Sequence, residues 1–412
     1  MPIHSYCKLA LALVLALFCA GCGDTFRPVA TPLTGAPPDP QPFHLAVTVS
    51  VNTPGNVGSN MSINVSGDSR FSSVPVGMNP VHAAVLPSGA ATRVYVANQA
   101  DNTVSSYAAS SQAAPVTTTQ LPVGAAPNFV ASSETTNMYV SMPGLNSVGV
   151  ISVNANVLKA TVPVGANPVA LAETGDGLHL YSVNQGDNTV TGINTPNDSV
   201  SPASPIHVGT SPVWAVVSSA GLVYVLNQGD GTISVIQPGL DVVVATLTVA
   251  PGANYEFFES HLNRLYVTNP VANTVTVFDL SQSPNVLLAT VPVAPGPLSV
   301  TALADGTRAY VVSSQVSGTA NATVSVINAS SNVVTKTIAL PAVAPAAACS
   351  TARFRVSTAS SPDSRKVYVA NCDAGGTGII RTSDDTLVNT LPSPMTPTFG
   401  VPQNPVWVMT TQ

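Results

Sequence analysis

One phrase recurs seven times along this chain, and its spacing constrains the fold more than any other feature. Versions of it stand at 93–98 (RVYVAN), 137–141 (NMYVS), 179–184 (HLYSVN), 222–227 (LVYVLN), 264–269 (RLYVTN), 308–313 (RAYVVS) and 366–371 (KVYVAN). The tyrosines fall 44, 42, 43, 42, 44 and 58 residues apart. A period of this length, with β-branched and aromatic residues in every unit, is the signature of a propeller or a linear array. Length alone would suggest two or three domains, but stacked units share one continuous core.

The unit at 165–209 shows the internal grammar. A short strand enters through a Gly/Pro turn at 165–168, and a Thr-Gly-Asp-Gly hairpin turn follows at 174–177. The tyrosine strand comes next, then a tight turn at 185–188, a third strand over 189–193 and a less regular fourth strand leading to His207. Four short antiparallel strands per radial repeat make a propeller blade. Each blade packs between two neighbours. This accounts for the near-continuous runs of Val, Ile, Leu and Tyr in place of a clean alternation.

The repeat resembles that of the YVTN family of bacterial β-propellers, whose phrase is spelled in full at Tyr266-Val267-Thr268-Asn269. The Asn-Thr-Val elements at 102–104, 188–190 and 273–275 and the turns at 75–80 and 163–168 strengthen the likeness, which covers roughly residues 43–412. The resemblance implies the fold and no particular activity.

First-strand signals open at Asn79, Pro127, Asn167, Ser211, Asn254, Pro297 and Arg353, which defines blades 1 to 7, and once more at Asn404. No tyrosine strand follows Asn404. Conversely, 43–51, 60–65 and 71–76 read as second, third and fourth strands without a first. The expectation is an all-β, eight-bladed propeller whose eighth blade is split between the two chain ends. Seven blades, with 43–76 as a cap, is the alternative.

Residues 1–21 read as an export signal: His4 and Lys8, then an apolar run at 9–18 too short to span a bilayer. Ala20 and Gly21 before Cys22 resemble the bacterial lipobox, whose cysteine is diacylated, although Cys19 stands where that pattern usually has Leu, Val or Ile. Lipidation at Cys22 is the expectation, with ordinary signal cleavage as the alternative. Residues 22–42 are Pro-rich and read as a semi-rigid tether between the membrane and the folded head. The place expected for the protein is therefore the bacterial cell envelope, on its periplasmic or outer side.

Only 8% of residues are charged, 13 basic against 19 acidic, with no Lys/Arg run. A phosphate-backbone surface needs clustered cations, so nucleic acid is not an expected partner. No CxxCH, CxxC, HExxH, P-loop or GxSxG occurs, and no metal site, cofactor or catalytic residue is expected. The asparagines that end the phrase (Asn98, Asn184, Asn227, Asn269, Asn371) and the aspartates after them (Asp101, Asp187, Asp230) read as turn chemistry. Aromatic residues recur near the first strands at His82, Phe129, Trp214, Phe257 and Trp407. They are expected to pack between blades or to line the channel mouth.

Function is sought where the symmetry breaks. Blade 5 opens with Tyr255, Glu256, Phe257, Phe258 and Glu259, followed by His261, and blade 7 opens with Arg353-Phe354-Arg355. Extra residues at 314–320 and 341–351 are read as loops on one face near blades 5–7, and loops on a rigid scaffold carry function. Tyr255, Glu256, Glu259, Arg353 and Arg355 are the candidate ligand-binding residues, for a protein or carbohydrate partner. A propeller enzyme, a lactonase or a quinone-dependent dehydrogenase, and a purely structural envelope component are the rivals. Finally, Cys349 and Cys372, the two cysteines after the leader, are expected to form a disulfide, because antiparallel pairing would place them equidistant from the blade-7 hairpin turn.

Overall fold

The computed structural model describes residues 44–411, except 89–90, 112–114, 133–136, 351, 397–399 and 401. Eight antiparallel sheets stand in a ring. Seven are contiguous blades, and the fourth strand of blade 3 is broken into Ser199–Val200 and Ile206–His207. The eighth sheet is the split blade. Its innermost strand is Asn404–Thr410, and Leu45–Val51, Val57–Asn64 and Ser69–Met78 follow outward. Six residue pairs join the first two of these strands, from Ala46↔Thr410 to Val51↔Asn404. The signal and tether segments and Cys22 lie outside the described residues.

The tyrosine of the phrase sits in the second strand, and all seven copies are 0–1% exposed. A buried phenol needs a partner for its hydroxyl, and in several blades the next blade supplies it. Tyr181 donates to Asp241 at 2.5 Å, Tyr224 to Asn285 at 3.2 Å and Tyr310 to Asp385. These acceptors lie in the turn between the third and fourth strands of the following blade. Across two other seams a cation does the same work: Arg93 reaches Asn156 at 3.3 Å and Lys366 reaches Asp68 at 2.6 Å. Asn156, Asp68, Asp241 and Asp385 all have φ near +50°, a conformation that Asn and Asp tolerate better than other side-chain-bearing residues.

The phrase-ending asparagines and the following aspartates tie turns to strands. Asn98 donates to Thr103 and Ser105, while Asp101 accepts from Thr103 and from the Met78 amide. Blades 3 and 4 repeat the arrangement with Asn184 and Asp187, and with Asn227 and Asp230.

Two expectations about the insertions are corrected. Residues 314–320 are not a loop. They prolong the blade-6 hairpin, whose strands Arg308–Ser317 and Thr319–Asn328 stay paired to Ser317↔Thr319 around Gly318. Ala320 then exchanges two backbone hydrogen bonds with Val343, so the two insertions form one unit. The first strand of blade 7 begins at Val356, not Arg353, and pairs Val356 with Asn371. Cys349 and Cys372 are joined, with Cα atoms 5.8 Å apart. Hairpin pairing does not bring them together, because the residue opposite Cys372 is Arg355. A helical turn at Ala347–Cys349 folds back over the strand end instead. A link closing 23 residues contributes about 3 kcal/mol.

Candidate binding site

The first strands surround the ring axis, and proline sets their side-chain pattern. Pro80, Pro168, Pro212 and Pro297 each open one, and in each the pairing register slips at the next residue. Proline has no N–H to give the ladder, and a bulge re-aims the residue that follows. That residue is Val81, Val169, Val213 or Leu298. Blades 2 and 5 have Asn128 and Asn254 at the same repeat position, and these six residues line one mouth of the channel. Blade 7 has Val356 at that position, and its Arg353 reaches the same mouth from the segment before the strand. We call it the upper mouth; it lies at the end where the second and third strands connect.

The next repeat position points to the axis. His82, Phe129, Trp214, Tyr255 and Trp407 meet there, with Ala170, Ser299 and Ser357 as the small members, and Phe354 joins them from the segment before the first strand of blade 7. His82 stacks on Phe129 at 3.9 Å between ring centroids and lies 4.6 Å from Trp407. Trp214 reaches Phe129, Tyr255 and Phe354 at 4.7–5.8 Å, and Trp407 of the split blade at 6.2 Å. Contacts between blades 2, 4, 7 and the split blade cross the axis, so these rings close the channel. They also pack between neighbouring blades, as His82 does on Phe129 and Trp214 on Tyr255, and Trp214 and Phe354 face the upper mouth. Phe257 is not among them; two residues further along its strand than Tyr255, it lines the lower cavity. Burial, and then the charge of Arg353, hold the His82 pKa well below its ordinary value.

The upper mouth is a cavity of about 370 Å³ above this aromatic floor. Its wall is built of carboxamides. Gln99, Gln185 and Gln228 each follow the asparagine of the phrase, in blades 1, 3 and 4, and Asn128 and Asn254 complete the ring. Most of these groups are held in place. Gln99 accepts from Asn79 at 3.0 Å, and Gln185 accepts from Asn167 at 3.2 Å and donates to Ser211 at 3.3 Å. Asn128 accepts from Ser141 at 2.6 Å, and Asn254 accepts from Thr268 at 2.9 Å. The lower mouth, about 670 Å³, is more apolar, with Phe257, Phe258, Leu303, Trp407 and Met409 in its lining.

The five residues singled out in the sequence part company here. Tyr255 is a member of the aromatic floor. Glu256 occupies the repeat position that holds Ala83, Val130, Leu171, Ala215, Val300 and Val408 in other blades, which faces the core. It is 1% exposed, and neither carboxyl oxygen makes a hydrogen bond of good geometry. Burial pushes its pKa well above the usual carboxylate range, offset in part by the Val216 backbone. Glu259 is also buried, but it accepts the backbone N–H groups of His261 at 2.6 Å and Leu262 at 2.9 Å, and so shapes the hairpin turn. His261 is exposed on that turn. The acidic residues of blade 5 are therefore not brought together. Among the described residues no three His, Cys, Asp or Glu side chains are grouped to hold a metal ion.

The two arginines differ as sharply. Arg355 is engaged by Asp373 in a two-pronged pair at 2.6 and 2.7 Å. The same aspartate accepts the Ala346 amide at 2.9 Å, so this pair moors the 341–351 insertion. Arg353 has no ion-pair partner among the described residues. Its guanidinium lies over Phe129, Trp214 and Phe354 at 5.1–5.7 Å and donates to the Asn128 carbonyl at 3.2 Å. Burial draws its pKa down to about 10, and it stays charged at neutral pH.

Glu256 leads to a pH prediction. In the folded chain it holds its proton, whereas in the unfolded chain it ionises in the ordinary carboxylate range. The raised pKa therefore costs stability as pH rises above that range, by up to about 1.4 kcal/mol per pH unit until the folded pKa is passed. Replacing Glu256→Gln should remove this slope, so the gap between the two proteins' urea midpoints should change from pH 5 to pH 8 in favour of the variant. Parallel pH profiles would show that Glu256 is not a buried acid.

No family model matches this chain, and no curated protein matches it. Solved structures do. Apo AztD from Citrobacter koseri is similar at a TM-score of 0.62 and 11% identity, covering 89% of this chain and 98% of that one. Dihydro-heme d1 dehydrogenase NirN, in complex with DHE, gives 0.63 and 13%, covering 91% and 77%. Kuenenia stuttgartiensis hydrazine synthase gives 0.55 and 18%, covering 74% and 96%. At these identities the likeness is one of fold alone. Fold and site together define an eight-bladed β-propeller with an axial aromatic seal and a polar upper mouth.

Proposed function

We propose that this protein is a membrane-anchored binding scaffold of the bacterial cell envelope, with the YVTN type of repeat. It takes its ligand, a carbohydrate or the polar surface of a protein, in the upper mouth. One observation carries this reading. Three glutamines from equivalent positions, two asparagines and the unpaired Arg353 converge on a single cavity whose size lies within the range of roughly 300–1,000 Å³ usual for ligand sites. Carboxamides offer a donor and an acceptor in one plane, and rigid elements hold these ones in place before any ligand arrives, which lowers the cost of binding. A diacylated Cys22 and the Pro-rich 22–42 segment would present this mouth away from the bilayer; several acyl chains hold a protein stably where one does not.

Two measurements test the reading. Cys22→Ser should abolish lipid labelling and move the protein from the membrane to the soluble fraction; an exported wild type that is already soluble would refute the anchor. A panel of envelope glycans and envelope protein extract should yield a ligand whose affinity falls at least tenfold when Gln99, Gln185 and Gln228 are replaced together by Ala. The lower-mouth variant Phe258→Ala should leave that affinity alone. A ligand lost with Phe258→Ala and kept by the triple variant would move the site to the other face.

A further inference from the structure

Resting on the reading of the upper mouth as a binding site, we propose that its floor is an acidic-sugar subsite, in which Arg353 receives the carboxylate of a hexuronic acid. Arg353 enters a mouth to which the first strands otherwise contribute Val, Asn or Leu, and the other arginine of the lining, Arg355, is already engaged by Asp373. Stacking over three aromatic rings compensates part of the cost of enclosing the cation. Yet its only hydrogen bond to the described residues is the one to the Asn128 carbonyl, out of five N–H groups a guanidinium can give. Arg355, two residues away, shows the contrast, because Asp373 engages it fully. A planar fork with free donors at the bottom of a cavity fits a planar carboxylate.

The surroundings select the kind of acid. A single unpaired positive charge matches a carboxylate. A phosphate monoester, nearer −2 at neutral pH, would bring more negative charge than Arg353 can match, since Arg355 is already paired with Asp373. The polar groups of the wall are neutral carboxamides, which pair with hydroxyls, and Arg355, whose charge Asp373 already meets. The cavity is closed beneath by the aromatic floor and measures about 370 Å³. It suits a compact ring carrying hydroxyls and one carboxylate better than an extended peptide.

The test is calorimetric titration of the full protein with trigalacturonic acid, its neutral methyl ester, and a tripeptide with a free C-terminus. The acid should bind at least tenfold more tightly than the ester. Arg353→Gln should abolish that preference, and Arg353→Lys should keep part of it. Equal affinity for acid and ester, or a preference that survives Arg353→Gln, would overturn the subsite while leaving saccharide binding intact. Tighter binding of the tripeptide than of the acid would overturn the sugar assignment. Failure of all three probes, with protein ligands also absent, would overturn the reading of the mouth itself. The comparison of acid with ester needs only the wild type, so it decides even if Arg353→Gln fails to fold.

Discussion

Removal of residues 404–412 should abolish cooperative folding of the ring. These residues supply the innermost strand of the split blade, which pairs with Ala46–Val51 through six residue pairs. Val406, Trp407 and Val408 are 2–9% exposed. The same strand also bridges to blade 7: the Val408 amide donates to the Ser357 hydroxyl at 2.9 Å and Thr410 donates to the Ser360 carbonyl at 2.8 Å. Without it, the apolar inner face of blade 7 and that of the remaining three strands would both meet water, and Leu45–Val51 would become an unpaired edge. The truncated chain should show no single unfolding transition by circular dichroism and should bind a hydrophobic dye when native conditions are restored. A truncated protein that melts within a few degrees of the full chain would show that the ring does not depend on this strand.

The second large effect is expected at the aromatic floor. Trp214 touches Phe129, Tyr255, Phe354 and Trp407, and lies under the Arg353 guanidinium. Trp214→Ala removes the most connected ring of the group and leaves a cavity that four blades would have to collapse to fill. Large-to-small changes of this kind cost about 3–5 kcal/mol, and the loss of a partner for an enclosed cation adds to it. The shift in stability should be read by urea denaturation beside the volume-sparing Trp214→Phe, which should cost much less. A loss below about 1 kcal/mol for Trp214→Ala would mean that the rings line an open channel and do not seal it.

The blades were legible in the sequence because a tyrosine recurs in every contiguous one, and the split blade because two sets of strands each lacked what the other had. What the tyrosine does was not legible. Its partner, such as Asp241 for Tyr181, lies about sixty residues away in the following blade, and only the ring brings that turn under the hydroxyl. The acidic group of blade 5 misled for a local reason. Glu256, Glu259 and His261 are close in sequence, but successive strand residues face opposite ways and a hairpin turn follows, so one carboxyl enters the core, one shapes the turn and the imidazole stays outside. Arg353 and Arg355 were chosen alike and proved different, because Asp373 follows the next strand and engages only one of them. The wall of the mouth carried a signal that went unread. The dipeptide Asn-Gln ends three of the seven phrases, at Gln99, Gln185 and Gln228. Likewise, the residue two after the proline near the strand start is His82, Phe129, Trp214 or Trp407 in four blades, a regularity that points to the axis once the bulge is known.

Because six rings meet on the axis, the molecule has two dead-end chambers in place of a conduit. Whatever settles in one must leave by the door through which it came, and nothing of molecular size passes from face to face. Occupancy of the carboxamide-walled chamber is then governed by what the surrounding medium offers on that side alone. The greasier chamber opposite can be filled, blocked or mutated without competing for the same ligand.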